Sequence, residues 1–173
     1  MELHLYQTTV SSPIGDLALI VDDFGAVVRI AFLQVTTTDE LHESPLLNGR
    51  EIRLEDKPCA EAKRQLEAYF AGERRTFELD LAPEGTPFQQ RVWRELLKVP
   101  FGETITYGEL ADRLDSPGAS RAVGHANHVN PIPIVIPCHR VIGQGGALVG
   151  FGGGLPIKRA LLDHERGQSV LWS

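Results

Sequence analysis

The sequence is poor in cysteine and contains no long apolar run, and each absence excludes a class of protein. Its 173 residues include only two cysteines, Cys59 and Cys138, too few for a disulfide framework. No stretch approaches the roughly 18 apolar residues of a membrane-spanning helix. Residues 1–6 lack the basic start and apolar region of a secretory signal. We therefore expect a soluble cytoplasmic protein without a membrane partner, whose thiols are either packing residues or reactive groups.

Acidic residues are absent from one long window, although the net charge of the chain is −6. Residues 1–80 hold 15 acidic and 8 basic side chains, whereas residues 81–173 hold 8 acidic and 9 basic ones. Residues 117–160 contain no Asp or Glu, but they do contain the basic residues Arg121, Arg140, Lys158 and Arg159. The window is either a buried segment that excludes charge or a surface that meets an anion, and composition leaves both open.

The first part of the chain predicts a small antiparallel sheet. Its apolar runs are separated by turn residues that include Pro13, Gly15 and Gly25, and they lie at 3–10, 17–21 and 27–32. Residues 34–56 show no regular periodicity and predict a variable connection.

A helix follows this connection, and a break in the pattern follows the helix. Cys59 lies on the apolar stripe of the predicted helix, which ends near Gly72, so we interpret Cys59 as a packing residue. A strand is expected over 74–82. The Pro- and Gly-containing stretch 83–87 then predicts a boundary between domains 1–82 and 83–173.

The second part predicts mainly helices. They are expected from Thr86 or Pro87 to near Pro100, over 107–114, from Ala119 or Ser120 to about Val129, and over 156–164. The two middle helices are joined by a tight turn, the pattern of a helix-turn-helix. The second of them carries small residues that permit close approach, either to a neighbouring helix or to another surface: Ala119, Ala122, Gly124 and Ala126.

Cys138 has the surroundings of a nucleophile. It follows the apolar run 134–136, which predicts a buried strand, and it precedes a loop with seven glycines between positions 143 and 154. His139 and Arg140 come directly after it, and imidazole or cationic neighbours favour the reactive thiolate. On an extended backbone adjacent side chains point in opposite directions, so Cys138 and His139 would meet only through a bend or a water. The residues alone leave nucleophilic catalysis as a hypothesis.

Several blocks, in order along the chain, resemble the O6-alkylguanine-DNA alkyltransferases. They are Gly85–Trp93, Pro100–Leu110, Arg121–Gly124, Asn130–Ile142 with its Pro-Cys-His-Arg core, Gly150–Gly154, Lys158 and Leu161–Glu165. Residues 1–80 are similar to that family only in general form. The resemblance implies an α+β fold, with a small N-terminal β-rich (ribonuclease H-like) domain before a mainly helical domain that carries a DNA-binding helix-turn-helix.

The resemblance also implies the reaction and its catalytic residues. A single-turnover methyltransferase of this kind repairs DNA by moving an alkyl group from O6 of guanine irreversibly to its own cysteine, here Cys138, without a cofactor; O4-alkylthymine stays open as a second substrate. His139 would activate the thiol through a water, and Glu165 would orient His139. Asn130 would hold the bend before the active-site segment.

Lesion and DNA contacts are implied in the same way. The guanine pocket would be formed by Tyr107, whose hydroxyl donates to the base, together with Pro133, Val141, Phe151 and Gly152. The lesion base must leave the stack of double-stranded DNA before a thiol can reach it. The helix-turn-helix would enter the minor groove, with Arg121 taking the place of the base, Tyr107 against a phosphate, and close approach at Ala119, Ser120, Ala122 and Gly124. A monomer is implied, and cooperative binding along DNA is left open.

The chain departs from relatives at three positions and lacks one feature of some of them. Phe151 stands in place of a tyrosine, Val149 in place of a glycine, and His128 in place of an arginine. Val149 narrows the predicted pocket, so benzyl groups are expected to transfer more slowly than methyl groups. The N-terminal part has too few ligands for the zinc that some relatives carry, so we expect no metal.

Three other functions compete with repair. A non-transferring sensor of alkylated DNA would replace the nucleophile, commonly with tryptophan, whereas Cys138 is present here. A helix-turn-helix regulator needs side chains that read base edges in the major groove, whereas the predicted second helix offers mainly small ones. A Cys-His hydrolase needs an oxyanion hole, for which no sequence block provides support.

Overall fold

A computed structural model describes residues 3–47 and 49–167, and the chain divides after Glu84 into two compact units. We call the part before this point unit 1 and the part after it unit 2. The predicted α+β class is confirmed, with a strand-rich unit first and a mainly helical unit second. Within the described ranges, no helix is both long and apolar enough to cross a membrane.

Unit 1 is built on a four-stranded sheet. Its strands are β1 (Leu5–Val10), β2 (Leu17–Asp22), β3 (Val27–Phe32) and β4 (Ile52–Leu54), in the spatial order β3-β2-β1-β4. β2 pairs antiparallel with both neighbours, and β4 pairs parallel with β1. Gly15 and Gly25 form the two turns with φ of +100° and +80°, a region that side chains with a Cβ rarely adopt. The central strand β2 is buried almost throughout.

The connection predicted as irregular contains a short helix, a 3-10 turn at Pro45–Leu47 and a short strand. Helix α1 (Thr38–His42) begins with a capping box between Thr37 and Glu40, and β4 follows it. A five-residue helix and a three-residue strand are too short to give a readable period, which is why the sequence pattern missed them. Helix α2 (Ala60–Phe70) follows a 3-10 turn, Lys57–Cys59, and buries Cys59 completely.

The strand expected over 74–82 is wrong. Only a single parallel bridge, between Val27 and Leu81, joins this segment to the sheet. Its backbone contacts at β3 are confined to Val27, which donates to Asp80 and accepts from Ala82. Leu81 is therefore joined to β3 by one bridge, and its segment forms no continuous ladder of hydrogen bonds with the sheet.

Unit 2 contains four helices and one two-stranded parallel ladder in its described part. They are α3 (Pro87–Leu96), β5 (Ile105–Thr106), α4 (Tyr107–Arg113), α5 (Ser120–His128), β6 (Val141–Ile142) and α6 (Leu155–Glu165). Thr86 and Gln89 form a capping box at the start of α3. The indole of Trp93 on α3 donates a 2.9 Å hydrogen bond to the carbonyl of Ala126 on α5, which fixes the two helices together.

Helices α4 and α5 form the predicted helix-turn-helix pair. Thr106 caps α4, and the turn between the helices uses positive φ at Asp115 and Gly118. Val123, Ala126 and Asn127 are the buried residues of α5. Ala126 is therefore buried, and its carbonyl accepts from Trp93 on α3, so at this position the small residue serves contact with a neighbouring helix, one of the two alternatives that the sequence left open.

The strand expected over 134–136 is also wrong. The run is buried, but Ile134 has a φ of +74°, and the amide of Ile136 donates back to the carbonyl of Ile132 as in a turn. Prolines at 131, 133 and 137 remove three backbone donors, so this segment cannot form a regular ladder. Cys138 consequently does not continue a strand but begins a 3-10 turn, Cys138–Arg140.

Candidate active site

The parallel ladder of unit 2 joins two distant parts of the sequence at the candidate site. Ile105 pairs with Val141, and Thr106 pairs with Ile142. Tyr107 is the first residue of α4 directly after β5, and Cys138 begins the turn directly before β6. Short strands of two residues are therefore enough to bring a phenol and a thiol into one neighbourhood.

The Cys138 thiol is almost fully buried, with 3% of the residue exposed. Burial raises the pKa of this thiol to about 11, because a thiolate loses its hydration there. Four donors or charges act against burial and lower the pKa: the side-chain amide of Asn130, the nearby ammonium of Lys158, and the backbone N–H groups of Cys138 and His139. The site thus keeps the resting sulfur neutral while supplying groups that stabilise its anion.

The residue after Cys138, His139, forms a buried pair with the carboxylate of Glu165. Nε2 of His139 is 2.8 Å from Oε2 of Glu165, the last residue of α6, and both side chains are completely buried. Burial lowers the pKa of His139, although Glu165 favours its charged form. Burial acts to raise the pKa of Glu165, but His139 and Arg140 hold it well below the usual range of a carboxyl group. The pair therefore consists of a neutral imidazole and an ionised carboxylate.

Asn130 closes the bend between α5 and the Cys138 turn. Its Nδ2 donates to the carbonyl of Ile136 at 2.8 Å, and its Oδ1 accepts from the amide of Ile132 at 3.0 Å. One buried side chain thus satisfies both a backbone donor and a backbone acceptor across the irregular segment, which the prolines leave without regular hydrogen bonds.

Two buried residues hold the glycine-rich loop and the Cys138 turn in ways that sequence reasoning missed. Lys158 is fully buried and donates to the carbonyls of Val141, Val149 and Gly150, and burial lowers its pKa to about 8. Asn127, which is 3% exposed, donates to the carbonyl of Cys138 at 3.2 Å. A polar residue one turn after Val123 on the buried stripe of α5 was the available signal for Asn127.

The residues expected in the guanine pocket differ in how far they are buried. Pro133, Val141 and Phe151 are buried, whereas Gly152 is exposed. The hydroxyl of Tyr107 donates to the carbonyl of Val149 at 3.0 Å, so the phenol is joined to the loop that carries positions 151 and 152. Val149 is 44% exposed to solvent.

Five of the residues expected to contact DNA are Ala119 and residues of the first half of α5, and the sixth, Tyr107, begins α4. Ser120, Arg121 and Ala122 are exposed, and Ala119 and Gly124 are partly exposed. The same helix uses its opposite side to contact the carbonyl of Cys138 through Asn127. The window without acidic residues therefore contains both a buried segment, 130–141, and a solvent-exposed surface, the outer side of α5.

No group of three or more His, Cys, Asp and Glu side chains within residues 3–47 and 49–167 is arranged to hold a metal ion. Near Cys138, Asn127 and Lys158 donate to backbone carbonyls and Nε2 of His139 contacts Glu165, whereas Nδ1 of His139 has no hydrogen-bond partner among the described residues.

The fold and the site define a class of protein: a strand-rich unit, followed by a helical unit in which a buried thiol and an imidazole–carboxylate pair adjoin a helix-turn-helix. Two family models match the chain. Residues 5–83 match the 6-O-methylguanine DNA methyltransferase ribonuclease-like domain, and residues 87–167 match the 6-O-methylguanine DNA methyltransferase DNA-binding domain. The chain belongs to the 6-O-methylguanine DNA methyltransferase family, which confirms the family resemblance.

Individual relatives are similar over nearly the whole chain. The methylated-DNA–protein-cysteine methyltransferase of Methanosarcina acetivorans is 47% identical over 93% of this chain and 98% of its own length. The protein of the same description from Mycobacterium bovis is 45% identical over 95% and 94%. The crystal structure of Mycobacterium tuberculosis OGT in complex with DNA superposes with a TM-score of 0.83 at 43% identity, covering 98% of this chain and 96% of that one.

Proposed function

We propose that this chain repairs double-stranded DNA by moving an alkyl group from O6 of guanine to the sulfur of Cys138, once per molecule. The observation that carries the proposal is the environment of Cys138: a buried thiol whose anion is favoured by Asn130, Lys158 and nearby backbone N–H groups, followed directly in the chain by His139, which pairs with Glu165. Relatives described as methylated-DNA–protein-cysteine methyltransferases support the reaction, and a similar structure in complex with DNA supports the partner.

The reaction is a displacement at the alkyl carbon. As the sulfur of Cys138 forms its bond to that carbon, the bond from the carbon to O6 breaks, and its electron pair stays on guanine. The thiol proton passes through a water to Nδ1 of His139, and the hydroxyl of Tyr107 gives its proton to the departing guanine. The proton held by His139 then returns through water to the Tyr107 oxygen, so the net result is one alkyl group on sulfur and one proton on guanine. Because burial keeps the thiol neutral, removal of the proton has to accompany the attack. The thioether has no route back to a thiol, so the protein acts once.

The departing guanine needs a donor as its negative charge develops. Tyr107 is suited to this role, since its hydroxyl already donates to a backbone carbonyl, that of Val149. In the proposed complex this hydrogen bond moves from the carbonyl to the base. Val141, Pro133, Phe151 and Gly152 form the remainder of the proposed pocket, with backbone groups reading the edge of guanine.

The DNA duplex is proposed to bind along the exposed side of α5, through its minor groove and to one protein monomer. The small residues Ala119, Ala122 and Gly124 let the helix approach the narrow groove, and Ser120 lies beside them. Arg121, exposed on the first turn of α5, would fill the gap left by the extruded base. Its position on the helix that also contacts the Cys138 carbonyl through Asn127 supports this arrangement.

Mass spectrometry after mixing the protein with a duplex containing O6-methylguanine tests the proposal. We expect one methyl group per protein, located on Cys138, and no further transfer when lesion is in excess. Cys138→Ala should bind the duplex and gain nothing. Binding without any gain by the unmodified chain would make it a lesion sensor. A methyl group on Cys59, or turnover beyond one, contradicts Cys138 as a single-use acceptor.

A further inference from the structure

Arg140 is a buried cation that the proposed reaction does not use. It lies in the same 3-10 turn as Cys138 and His139. Its Nε donates to Oε1 of Glu165 at 2.7 Å, and its Nη2 donates to Oε2 at 2.9 Å. Its Nη1 donates to the carbonyl of Val99 at 2.6 Å. The guanidinium therefore holds both carboxylate oxygens in its fork and is itself anchored to the segment after α3.

The same carboxylate determines which nitrogen of His139 carries a proton. An ionised carboxylate only accepts hydrogen bonds, so Nε2 of His139, 2.8 Å from Oε2 of Glu165, is the protonated nitrogen. In a neutral ring Nδ1 is then an acceptor. Nδ1 is buried and has no hydrogen-bond partner among the residues that the structure describes. The ring thus has one nitrogen fixed by Glu165 and one available to receive a proton.

The charges that face His139 come from two elements. Glu165 and Lys158 lie on α6, and Arg140 lies on the same turn as His139 itself, beside the neutral Cys138 thiol. From α5 the contact to this turn is the uncharged amide of Asn127, and from the segment after α3 it is the carbonyl of Val99. Glu165 favours a charged imidazole, whereas Arg140 and Lys158 disfavour it. One anion is therefore set against two cations.

We infer that Arg140 is a positioning residue for the transfer: by occupying both oxygens of Glu165, it lets that carboxylate orient His139 without protonating it. A carboxylate left alone beside an imidazole would draw a second proton onto the ring and close Nδ1 to the thiol proton. When the Arg140 guanidinium binds the same carboxylate, Glu165 keeps its orienting hydrogen bond with His139, but its attraction for a second proton on the ring becomes much weaker. The consequence for rate rests on the proposed function, whereas the protonation state of His139 does not.

Nitrogen-15 NMR of histidine-labelled protein measures that protonation state without DNA. In the unmodified chain we expect His139 to be neutral at neutral pH, with its proton on Nε2, because burial lowers its pKa. In Arg140→Gln the carboxylate acts on the ring with one cation fewer, so the pKa of His139 rises and the ring becomes charged at a higher pH than in the unmodified chain. Arg140→Lys keeps the positive charge and should titrate close to the unmodified chain. Arg94→Gln removes an exposed guanidinium from α3 and serves as the matched control.

The pH profile of methyl transfer provides the second readout. Below the pH at which His139 becomes charged in Arg140→Gln, the rate should fall about tenfold for each pH unit, because only the neutral ring accepts the thiol proton. At higher pH the rate should approach that of the unmodified chain. A loss by the same factor at every pH, with His139 titrating normally, would overturn the inference and leave Arg140 a purely structural residue.

Two further outcomes are decisive. If Arg140→Gln does not fold, a His139 that is charged at neutral pH in the unmodified chain still contradicts the inference. If no variant transfers a methyl group but His139 titrates as expected, then the proposed function fails and the role of Arg140 in setting the protonation of His139 stands.

Discussion

The two cysteines of this chain lie in different units and have much in common. Cys59 is fully buried in unit 1, and Cys138 is 3% exposed in unit 2. Burial raises the pKa of each thiol to about 11. A ranking by burial or by thiol acidity would therefore not separate a structural cysteine from a candidate nucleophile.

Their immediate partners separate them. The sulfur of Cys59 lies within 4.0 Å of three backbone carbonyls, and Asp56 raises its pKa further. Lys63 and two backbone amides act in the opposite direction there, but among the described residues that shift the pKa of Cys59 there is no imidazole to match the His139–Glu165 pair beside Cys138. At Cys138 the amide of Asn130 and the buried Lys158 favour the anion. Reactivity thus follows from a group that can take the proton and from donors that can accommodate the charge.

Replacing each cysteine by serine in turn gives the largest expected difference in methyl transfer. Cys138→Ser should remove all measurable methyl transfer, because a serine hydroxyl is far less acidic than a thiol and a far weaker nucleophile. Cys59→Ser should retain the transfer of one methyl group per molecule and lower the free energy of unfolding by about 1 kcal/mol. Mass spectrometry and chemical denaturation measure the two quantities. Loss of transfer in Cys59→Ser, in a protein that is still folded, would remove the distinction between the two sites.

Arg121→Ala tests a second difference between the units: we propose that only unit 2 has an exposed helix that opens the DNA duplex. Transfer from duplex DNA should slow by about tenfold to a hundredfold, since extrusion of the base costs a few kcal/mol that the arginine no longer offsets. Transfer from free O6-methylguanine base should be unchanged. Arg113→Ala removes the same charge from α4 and is the control. Equal slowing on both substrates would place Arg121 in the folding of the site and not in base extrusion.

Asn130→Ala weakens the difference between the two sulfur environments without removing the thiol. Two buried hydrogen bonds disappear with the amide, so the free energy of unfolding should fall by about 2 to 4 kcal/mol. The donor near the sulfur disappears as well, and transfer should slow by about tenfold, measured well below the unfolding temperature. Asn130→Asp keeps the acceptor and adds a negative charge, so it should slow transfer further. An Asp variant faster than the Ala variant would contradict a role for Asn130 in stabilising the thiolate.

Sequence patterns predicted the fold best where a helix has a full apolar stripe and a cap. Helices α3 and α4 begin where the sequence predicted, at Pro87 and Tyr107, and a threonine caps each start, Thr86 and Thr106 respectively. Predictions failed where apolar residues are held by turns. The run 134–136 has strand-like composition, but its neighbouring prolines and the positive φ of Ile134 prevent a strand.

The candidate site was predictable to the extent that its residues belong to recognisable blocks. The contact between His139 and Glu165, 26 residues apart, was expected from resemblance and is present at 2.8 Å. The particular partners of Asn127, Arg140 and Lys158 could not be predicted, because each depends on which backbone carbonyl or carboxylate lies opposite a buried side chain. Those partners are determined by the packing of α5 and α6 and leave no periodic signal in the sequence.

Asp56→Asn in a Cys138→Ala background is the most delicate test of the comparison. The amide keeps an acceptor for the 2.6 Å hydrogen bond from the Thr8 hydroxyl, so the fold should be preserved while the negative charge is lost. The pKa of Cys59 should fall, because Asp56 is the largest contributor to its rise after burial. Lys63→Gln should move the same pKa upward, because Lys63 lowers it. Carbon-13 NMR of the cysteine Cβ measures both shifts. If neither substitution shifts the pKa, burial alone sets the acidity of Cys59, and the contrast with Cys138 would then rest only on the availability of a base.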